Sequence, residues 1–188
     1  MKKLILSSLL LASAFIVNAQ SKDTTETKSG RNGNNEIKLN LAYTIAGIPE
    51  INYERILKDD MSVGLAVMVG LEDDADFSFA IIPNYRIYFG NKKANGFFIE
   101  GNAGVIGNRR AYYDYSFLAY TLYPAGYSPT VQPTYKTETN LGLGAAAGAK
   151  FLTKNGFVGE IYVGAGRLFG SSDIDVYPRA GVTIGKRF

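Results

Sequence analysis

The stretch that decides the fold runs from Phe77 to Gly90 and reads FSFAIIPNYRIYFG. Every second residue from Phe77 to Phe89 is large and mostly apolar, whereas the alternate set includes Asn84, Arg86 and a glycine. A period of two indicates a β-strand. A soluble sheet would turn the apolar set inward. We predict the opposite orientation, with the apolar set facing lipid and Arg86 pointing into the narrow interior of a barrel.

The same alternation recurs along the chain and predicts eight strands, each close to the ~9–11 residues of a tilted transmembrane strand. The segments are EIKLNLAY (36–43), INYERILK (51–58), MSVGLAVMVG (61–70), the opening stretch (77–90), GFFIEGNAGVIG (96–107), TNLGLGAAAGAKFL (139–152), GFVGEIYVGAGRLFG (156–170) and YPRAGVTIGKRF (177–188). The predicted fold is all-β, an eight-stranded antiparallel up-and-down transmembrane β-barrel.

The connections between these segments alternate in length. Three connections are short and polar (57–60, 90–96 and 153–156). The other four are 44–50, 71–76, a long one at about 108–139, and 170–176. An even-stranded barrel with both termini in the periplasm has three periplasmic turns and longer outer loops. Pro83 lies inside a predicted strand, where proline removes a ladder hydrogen bond, so we expect a local defect or a bulge there.

The N-terminus predicts export. Lys2 and Lys3 precede an apolar run from Leu4 to Val17, and a small residue, Ala19, stands at the expected cleavage position. We assign residues 1–19 to a signal peptide, 20–35 to a flexible periplasmic tail and 36–188 to the barrel. The formal net charge is only +3, and two of these positive charges lie in the predicted signal peptide. No nucleic-acid partner is therefore expected.

The charges on the alternate face predict a network inside the barrel. Placed along the predicted strands, they fall at similar heights near the periplasmic turns, with mostly alternating signs. Neighbouring opposite charges can pair and share hydrogen bonds, which a buried isolated charge cannot do. The predicted charged ring consists of Lys38, Glu54, Arg86, Glu100, Lys150, Glu160 and Arg187.

Above the ring, the inward residues are mostly small (Gly64, Ala66, Gly104, Gly142, Gly144, Gly164 and Gly166). Two interpretations are open, a water-filled cup or the tight fit of an eight-stranded barrel, and the second is preferred because it needs no function. A soluble lipocalin-like ligand carrier is a distant alternative. It would turn its apolar face inward, whereas here nearly every strand has an outer face of Leu, Val, Ile and Phe.

Several short motifs carry a family resemblance: the leader ending NAQ, the YERIL strand, PNYRIYFG followed by GFFIEG, and the terminal phenylalanine. The chain resembles the small outer-membrane β-barrels of the Bacteroidetes type, whose architecture is similar to OmpA/OmpX-type barrels and whose function is mostly unknown. This resemblance implies a Gram-negative outer-membrane location, contact with lipid and lipopolysaccharide, and recognition of Phe188 by the barrel-assembly machinery.

Enzyme function is not expected. The chain contains no histidine and no cysteine, which excludes the common serine-hydrolase and thiol mechanisms. The carboxylates of the predicted ring each have a cationic neighbour, which favours a structural role. No catalytic residue, cofactor or metal is predicted.

The long connection is rich in tyrosine: Tyr112, Tyr113, Tyr115, Tyr120, Tyr123, Tyr127 and Tyr135. Tyrosines supply rigid amphipathic contact area, so one interpretation is a surface site for an extracellular protein or glycan. The other is that the rings extend two strands above the membrane and pack on each other. Arg109 and Arg110 are expected near the outer interface, as lipopolysaccharide contacts or ordinary anchors.

Two functions therefore remain from the sequence. The preferred one is a structural or surface-interaction barrel whose interior the charged ring closes. The alternative is a narrow channel for small solutes, which that ring is expected to block.

Overall fold

The computed structural model describes residues 32–72, 76–112, 134–170 and 176–188. Within them the chain forms eight strands and one short helix. Their bounds are β1 Asn35–Asn40, α1 Leu41–Ile45, β2 Glu50–Lys58, β3 Met61–Val69, β4 Phe77–Tyr88, β5 Gly96–Tyr112, β6 Thr134–Leu152, β7 Phe157–Phe169 and β8 Val176–Arg187.

The strands form one closed antiparallel barrel in which each strand pairs with its neighbours in sequence and β1 pairs with β8. The predicted eight-stranded up-and-down barrel is confirmed. No helix within the described parts of the chain is long and apolar enough to cross a membrane.

The two ends of the barrel differ. Asn35 and Phe188 lie at the end with the short β2–β3, β4–β5 and β6–β7 connections, which we call the turn end. The opposite, loop end has α1 and the remaining connections. There β5 and β6 extend to 17 and 19 residues and stay paired as far as Tyr112 and Thr134. Strand therefore occupies both ends of the connection predicted at 108–139.

The first strand is shorter than predicted. It ends at Asn40 instead of Tyr43, and α1 follows at once. The Asn40 side chain accepts a hydrogen bond from the backbone N–H of Tyr43 at 3.4 Å, and the Thr44 hydroxyl donates to the Asn40 carbonyl at 2.6 Å. These local bonds favour a helical turn over further strand pairing, so Tyr43 lies over the loop end instead of on the outer face.

Of the local defect or bulge predicted at Pro83, the structure shows a defect without a bulge. Pro83 lies opposite Leu65 of β3 in an unbroken register. On the other side, the pairing with β5 resumes at Asn84 in the same register, so proline interrupts the ladder without shifting it. The register shift of β4 lies between Phe77 and Phe79.

Burial mostly alternates along the strands, except where β5 and β6 extend at the loop end, and the exposed side is the apolar one. Each strand contributes at least one large apolar side chain to the outside, for example Ile37, Ile51, Leu65, Ile81, Ile99, Leu143, Val163 and Val182 in the order of the strands. The inward side carries most of the charged strand residues. The barrel is thus apolar outside and highly charged inside.

Candidate functional site: the barrel interior

Among the described residues, the barrel interior contains ten buried lysine, arginine and glutamate side chains, and none of these residues is more than 3% exposed. Five are cationic and five are carboxylates, so the set is formally neutral. Burying a charge is costly unless it is paired and hydrogen-bonded. We call this set the charged network: Lys38, Arg86, Lys150, Arg179, Arg187, Glu36, Glu50, Glu54, Glu100 and Glu160.

Arg86 lies at the centre of the charged network and joins four strands. Its Nε donates to Glu100 Oε2 on β5 at 2.8 Å. Its Nη1 donates to Glu54 on β2 at 3.1 Å and to Glu160 on β7 at 3.0 Å. The guanidinium carbon lies 4.5 Å from the centroid of the Phe98 ring, a cation–π contact. The network therefore crosses the bore instead of following its wall.

Two lysines pair with the carboxylates on the turn-end side of Arg86. Lys38 donates to Glu54 and, at 2.7 Å, to Glu160. Lys150 donates to Glu54 at 2.7 Å and to Glu36 at 2.8 Å. Each of these carboxylates thus has at least two cationic neighbours, an arrangement that repays desolvation better than an isolated pair.

Arg187 closes the network at the turn end. Its Nε donates to Glu36 at 2.7 Å, and its two terminal nitrogens donate to the backbone carbonyls of Lys93 and Ala94 at 2.9 and 2.8 Å. Ala94 is fully buried. The β4–β5 turn therefore folds under the barrel and seals this end.

Arg179 extends the network towards the loop end. It donates from Nε to Glu100 at 2.9 Å and from Nη1 to Glu50 at 2.7 Å. Asn40 and Tyr162 also donate to Glu50. The charged network consequently extends along the barrel axis in several layers instead of forming a single ring, and we call it the plug.

The structure places all seven residues of the predicted ring in this plug, together with three that the sequence reasoning missed. Glu36 stands at the start of the first predicted strand and Arg179 within the last one, but neither was counted, and Glu50 was assigned to the loop 44–50. The predicted set had four cations and only three carboxylates. Since a buried set tends towards neutrality, that imbalance was a signal that carboxylates were missing.

Three carboxylates of the plug lie close enough together to resemble a metal site. Oxygens of Glu36, Glu54 and Glu160 lie within 4.8 Å of one another. However, Lys38 Nζ and Lys150 Nζ each lie within 3.5 Å of all three carboxylates. The ammonium groups already supply the positive charge that a metal ion would bring, so these residues do not fit a cation site.

The inward glycines make room for an aromatic ring. A Cβ on Gly166 would lie within the ring of Tyr177, and one on Gly144 would lie 2.7 Å from its hydroxyl oxygen. Tyr177 donates a hydrogen bond to Asn102 at 2.6 Å. At this level the small residues therefore serve a tight fit, one of the two interpretations that the sequence left open.

At the loop end the interior is lined mostly by apolar side chains. Above Tyr177 lies a cavity of about 250 Å³, which we call the apolar chamber. Its wall includes Met68, Ala80, Ile82, Ile106, Leu168 and Tyr177. Of this wall, only Ala80 and Ile82 belong to the alternate set recognised in residues 77–90. The other wall residues were not assigned to a face, so the sequence reasoning missed the chamber.

Of the seven tyrosines proposed for recognition, the structure describes Tyr112 and Tyr135, both exposed on the extended β5–β6 hairpin. Tyr113, Tyr115, Tyr120, Tyr123 and Tyr127 lie outside the described residues. Tyr112 donates to Glu138 at 2.5 Å. This bond, together with the negative charge of Glu138, raises the pKa of the Tyr112 hydroxyl above its ordinary value. Arg110 pairs with the same carboxylate at 2.9 Å.

Phe188 lies at the seam where the barrel closes. Its backbone exchanges two hydrogen bonds with Asn35, at 2.9 and 3.1 Å, and its side chain is 58% exposed on the turn end. The terminal aromatic is therefore accessible, with its backbone fixed between β1 and β8.

Comparisons with known proteins found one similar solved structure. It is the crystal structure of the N-terminal β-barrel domain of Pseudomonas aeruginosa OprF, with 15% sequence identity, a TM-score of 0.48, and coverage of 82% of this chain and 95% of that one. No protein-family model matches the chain, and no curated protein matches it. The Bacteroidetes-type family assignment stays a prediction.

Proposed function

We propose that this protein is a non-enzymatic integral β-barrel of the outer membrane with a structural or surface-interaction role. The observation that carries the proposal is the reversed distribution of polarity. In the part of the chain that the structure describes, ten charged side chains are buried inside the barrel, whereas large apolar side chains of all eight strands are exposed outside.

The exposed face is the first support. Monomeric soluble proteins rarely expose apolar patches larger than a few hundred Å². Here the exposed apolar residues encircle the barrel, from Ile37 on β1 to Val182 on β8. Only helices and closed barrels satisfy all backbone polar groups in lipid, and the described strands form such a closed barrel. This surface is therefore suited to contact with the hydrocarbon core of a bilayer.

The plug favours a structural role over conduction. Arg86 and its carboxylate partners cross the bore, and each of these side chains is fully buried. An interior of eight strands is about filled by side chains. Passage of a solute would require several of these ion pairs to open together, so the channel alternative is disfavoured.

The chemistry inside the barrel also favours a non-enzymatic role. The chain has no histidine and no cysteine. Every carboxylate of the plug is ion-paired with a buried lysine or arginine and is held away from solvent. A general base needs access to a substrate proton, which these groups lack.

The surface role rests on the loop end. The β5–β6 hairpin extends beyond the other strands and presents Tyr112 and Tyr135. We propose that it leads into a tyrosine-rich recognition segment, with an extracellular protein or glycan as partner. Lipid and lipopolysaccharide would surround the barrel, and the assembly machinery would recognise Phe188.

Two measurements test the membrane proposal. The full chain is expressed with its leader in a Gram-negative host. We expect it in the outer-membrane fraction after carbonate extraction, with different mobility in boiled and unboiled electrophoresis lanes. In planar bilayers the purified barrel should give no stable conductance. Recovery in the soluble periplasm would refute membrane insertion, and a stable sizeable conductance would refute the closed interior in favour of the channel.

A deletion tests the surface role separately. Replacement of residues 113–133 by a two-residue Asn-Gly turn should leave the heat-dependent mobility intact, because β5 and β6 can remain paired from Gly96–Lys150 to Tyr112–Thr134. Binding of intact cells to a glycan or matrix-protein array should be lost. Unchanged binding would contradict the recognition role without affecting the membrane proposal.

A further inference from the structure

The apolar chamber lies inside the barrel, above the charged network, and is independent of the outer face. Its volume is about 250 Å³. Met68, Ala80, Ile82, Ile106, Leu168 and Tyr177 belong to one buried cluster around it. The chamber is partly open at the loop end, where the exposed residues Asp76 and Val176 line it, so a ligand could enter it from that side.

We propose that the apolar chamber is a binding site for a small uncharged molecule that is mostly hydrocarbon, of the size of one or two fused rings. An engineered apolar cavity of about 150 Å³ stays dry and binds benzene. The apolar chamber is larger, which suits a naphthalene-sized or indole-sized ring system.

The polar groups around the chamber support an uncharged ligand. The Tyr177 hydroxyl is engaged with Asn102 at 2.6 Å, and the Tyr43 hydroxyl donates to the Pro178 carbonyl at 3.2 Å. Both phenols therefore present mainly ring surface to the chamber. The nearest residue of the charged network, Arg179, is directed to Glu50 and Glu100. The lining that the structure describes contains no lysine or arginine, so an anionic ligand would lose its hydration without gaining a cationic partner in the wall.

The polar residues that remain define the mouth of the site. Asp76 and Asn108 also line the chamber, and Asp76 is exposed whereas Asn108 is 9% exposed. Binding pockets typically combine an apolar wall with a few polar groups that orient the ligand. One hydrogen-bonding substituent on the ring, such as the N–H of indole, is therefore compatible with the site at its rim.

Methyl NMR of the barrel in lipid nanodiscs tests the proposal, with naphthalene and indole as probes. Binding in the chamber should shift the methyl signals of Met68, Ile82 and Ile106 in a saturable manner. Leu65 and Ile81 point outward and serve as internal controls, because a probe that only dissolves in the lipid shifts those signals linearly. Unshifted interior methyls would overturn the proposal.

A filling variant gives the second test. Ala80→Phe adds a ring inside the chamber and should weaken binding at least about tenfold, since in apolar pockets even one methylene changes affinity about 10–200-fold. The matched control Ala145→Phe adds the same ring to the outer face and should leave binding unchanged. Equal binding by both folded variants would overturn the proposal.

An enlarging variant covers the case in which Ala80→Phe fails to fold. Ile106→Ala should increase the affinity for naphthalene relative to benzene, because it widens the same wall. Naphthalene-2-sulfonate should not bind the native barrel. Saturable binding of this anion, or an unchanged preference in Ile106→Ala, would refute an uncharged ring in this chamber.

Discussion

Arg86 on β4 donates from Nη1 to both carboxylate oxygens of Glu160 on β7, at 3.1 and 3.0 Å, across the interior of the barrel. The two strands are not neighbours in the sheet. This ion pair therefore links distant parts of the barrel wall directly, with both side chains fully buried. It makes the interior a cross-braced core instead of a pore.

Removal of the central cation should be strongly destabilising. Arg86→Met leaves Glu54, Glu100 and Glu160 with fewer partners, and loss of one member of a buried ion pair typically costs about 3–5 kcal/mol. Urea unfolding of the barrel in vesicles, followed by tyrosine fluorescence, measures the change. The matched control is Arg55→Met, because Arg55 makes an exposed bond to Asn35 and its loss should cost within about 0.5 kcal/mol. Equal costs would contradict the plug.

A compensating variant should recover part of that loss. Arg86→Met combined with Glu160→Gln removes one charge of each sign and restores formal neutrality. The double variant should be more stable than the sum of the single effects predicts, by about 0.5–3 kcal/mol. The double-mutant cycle measures this coupling. Strict additivity would mean that the two side chains do not interact in the folded barrel.

Substitution of glycine by alanine should destabilise the barrel at an inward position but not at an outward one. Gly166→Ala forces a methyl group into the Tyr177 ring, and overpacking typically costs about 1–3 kcal/mol. Gly101 has nothing within 4 Å of an added Cβ, so Gly101→Ala should be neutral or slightly stabilising. The unfolding midpoints of the two variants are compared directly. A neutral Gly166→Ala would contradict the tight fit around Tyr177.

If the barrel spans a membrane as proposed, a charged residue introduced on the outer face should destabilise the folded barrel more when it lies deeper in the bilayer. Leu65 lies in the middle of β3 and Leu57 near the end of β2, and both are exposed. Leu65→Arg should cost about 2–4 kcal/mol in vesicles and Leu57→Arg about 0–1 kcal/mol. Similar small costs at both positions would indicate that Leu65 faces water.

The hydroxyl of Tyr112 should lose its proton at a higher pH than the hydroxyl of an isolated tyrosine. Its bond to Glu138 raises the pKa of this hydroxyl above the ordinary value of 10.0. The bond is therefore present while the hydroxyl is protonated, and it is lost as the pH rises through the elevated pKa. NMR titration of ¹³C-labelled tyrosine measures this value, and Glu138→Gln should lower it because the carboxylate charge is removed. An unchanged titration in Glu138→Gln would show that the pair is absent in solution.

Local patterning was sufficient to predict the wall of the barrel. The period of two in residues 77–90 and in the other segments determines which side chains share a face, and this depends only on the geometry of an extended strand. The eight strands and their antiparallel order followed from it. The first strand was predicted too long, because the Asn40 side chain bonds to the following backbone and begins a helix. At Pro83 the predicted local defect is present, but the register continues through it without a bulge.

The interior was decided by tertiary structure. Which side chains meet across a bore depends on strand tilt and stagger, which a one-dimensional pattern does not contain. The sequence placed seven charged residues at similar heights, but only the closed barrel brings Arg86 to Glu160 and adds Glu36, Glu50 and Arg179 to the same plug. The apolar chamber arises in the same way, because inward side chains from several strands converge there only once the sheet has closed.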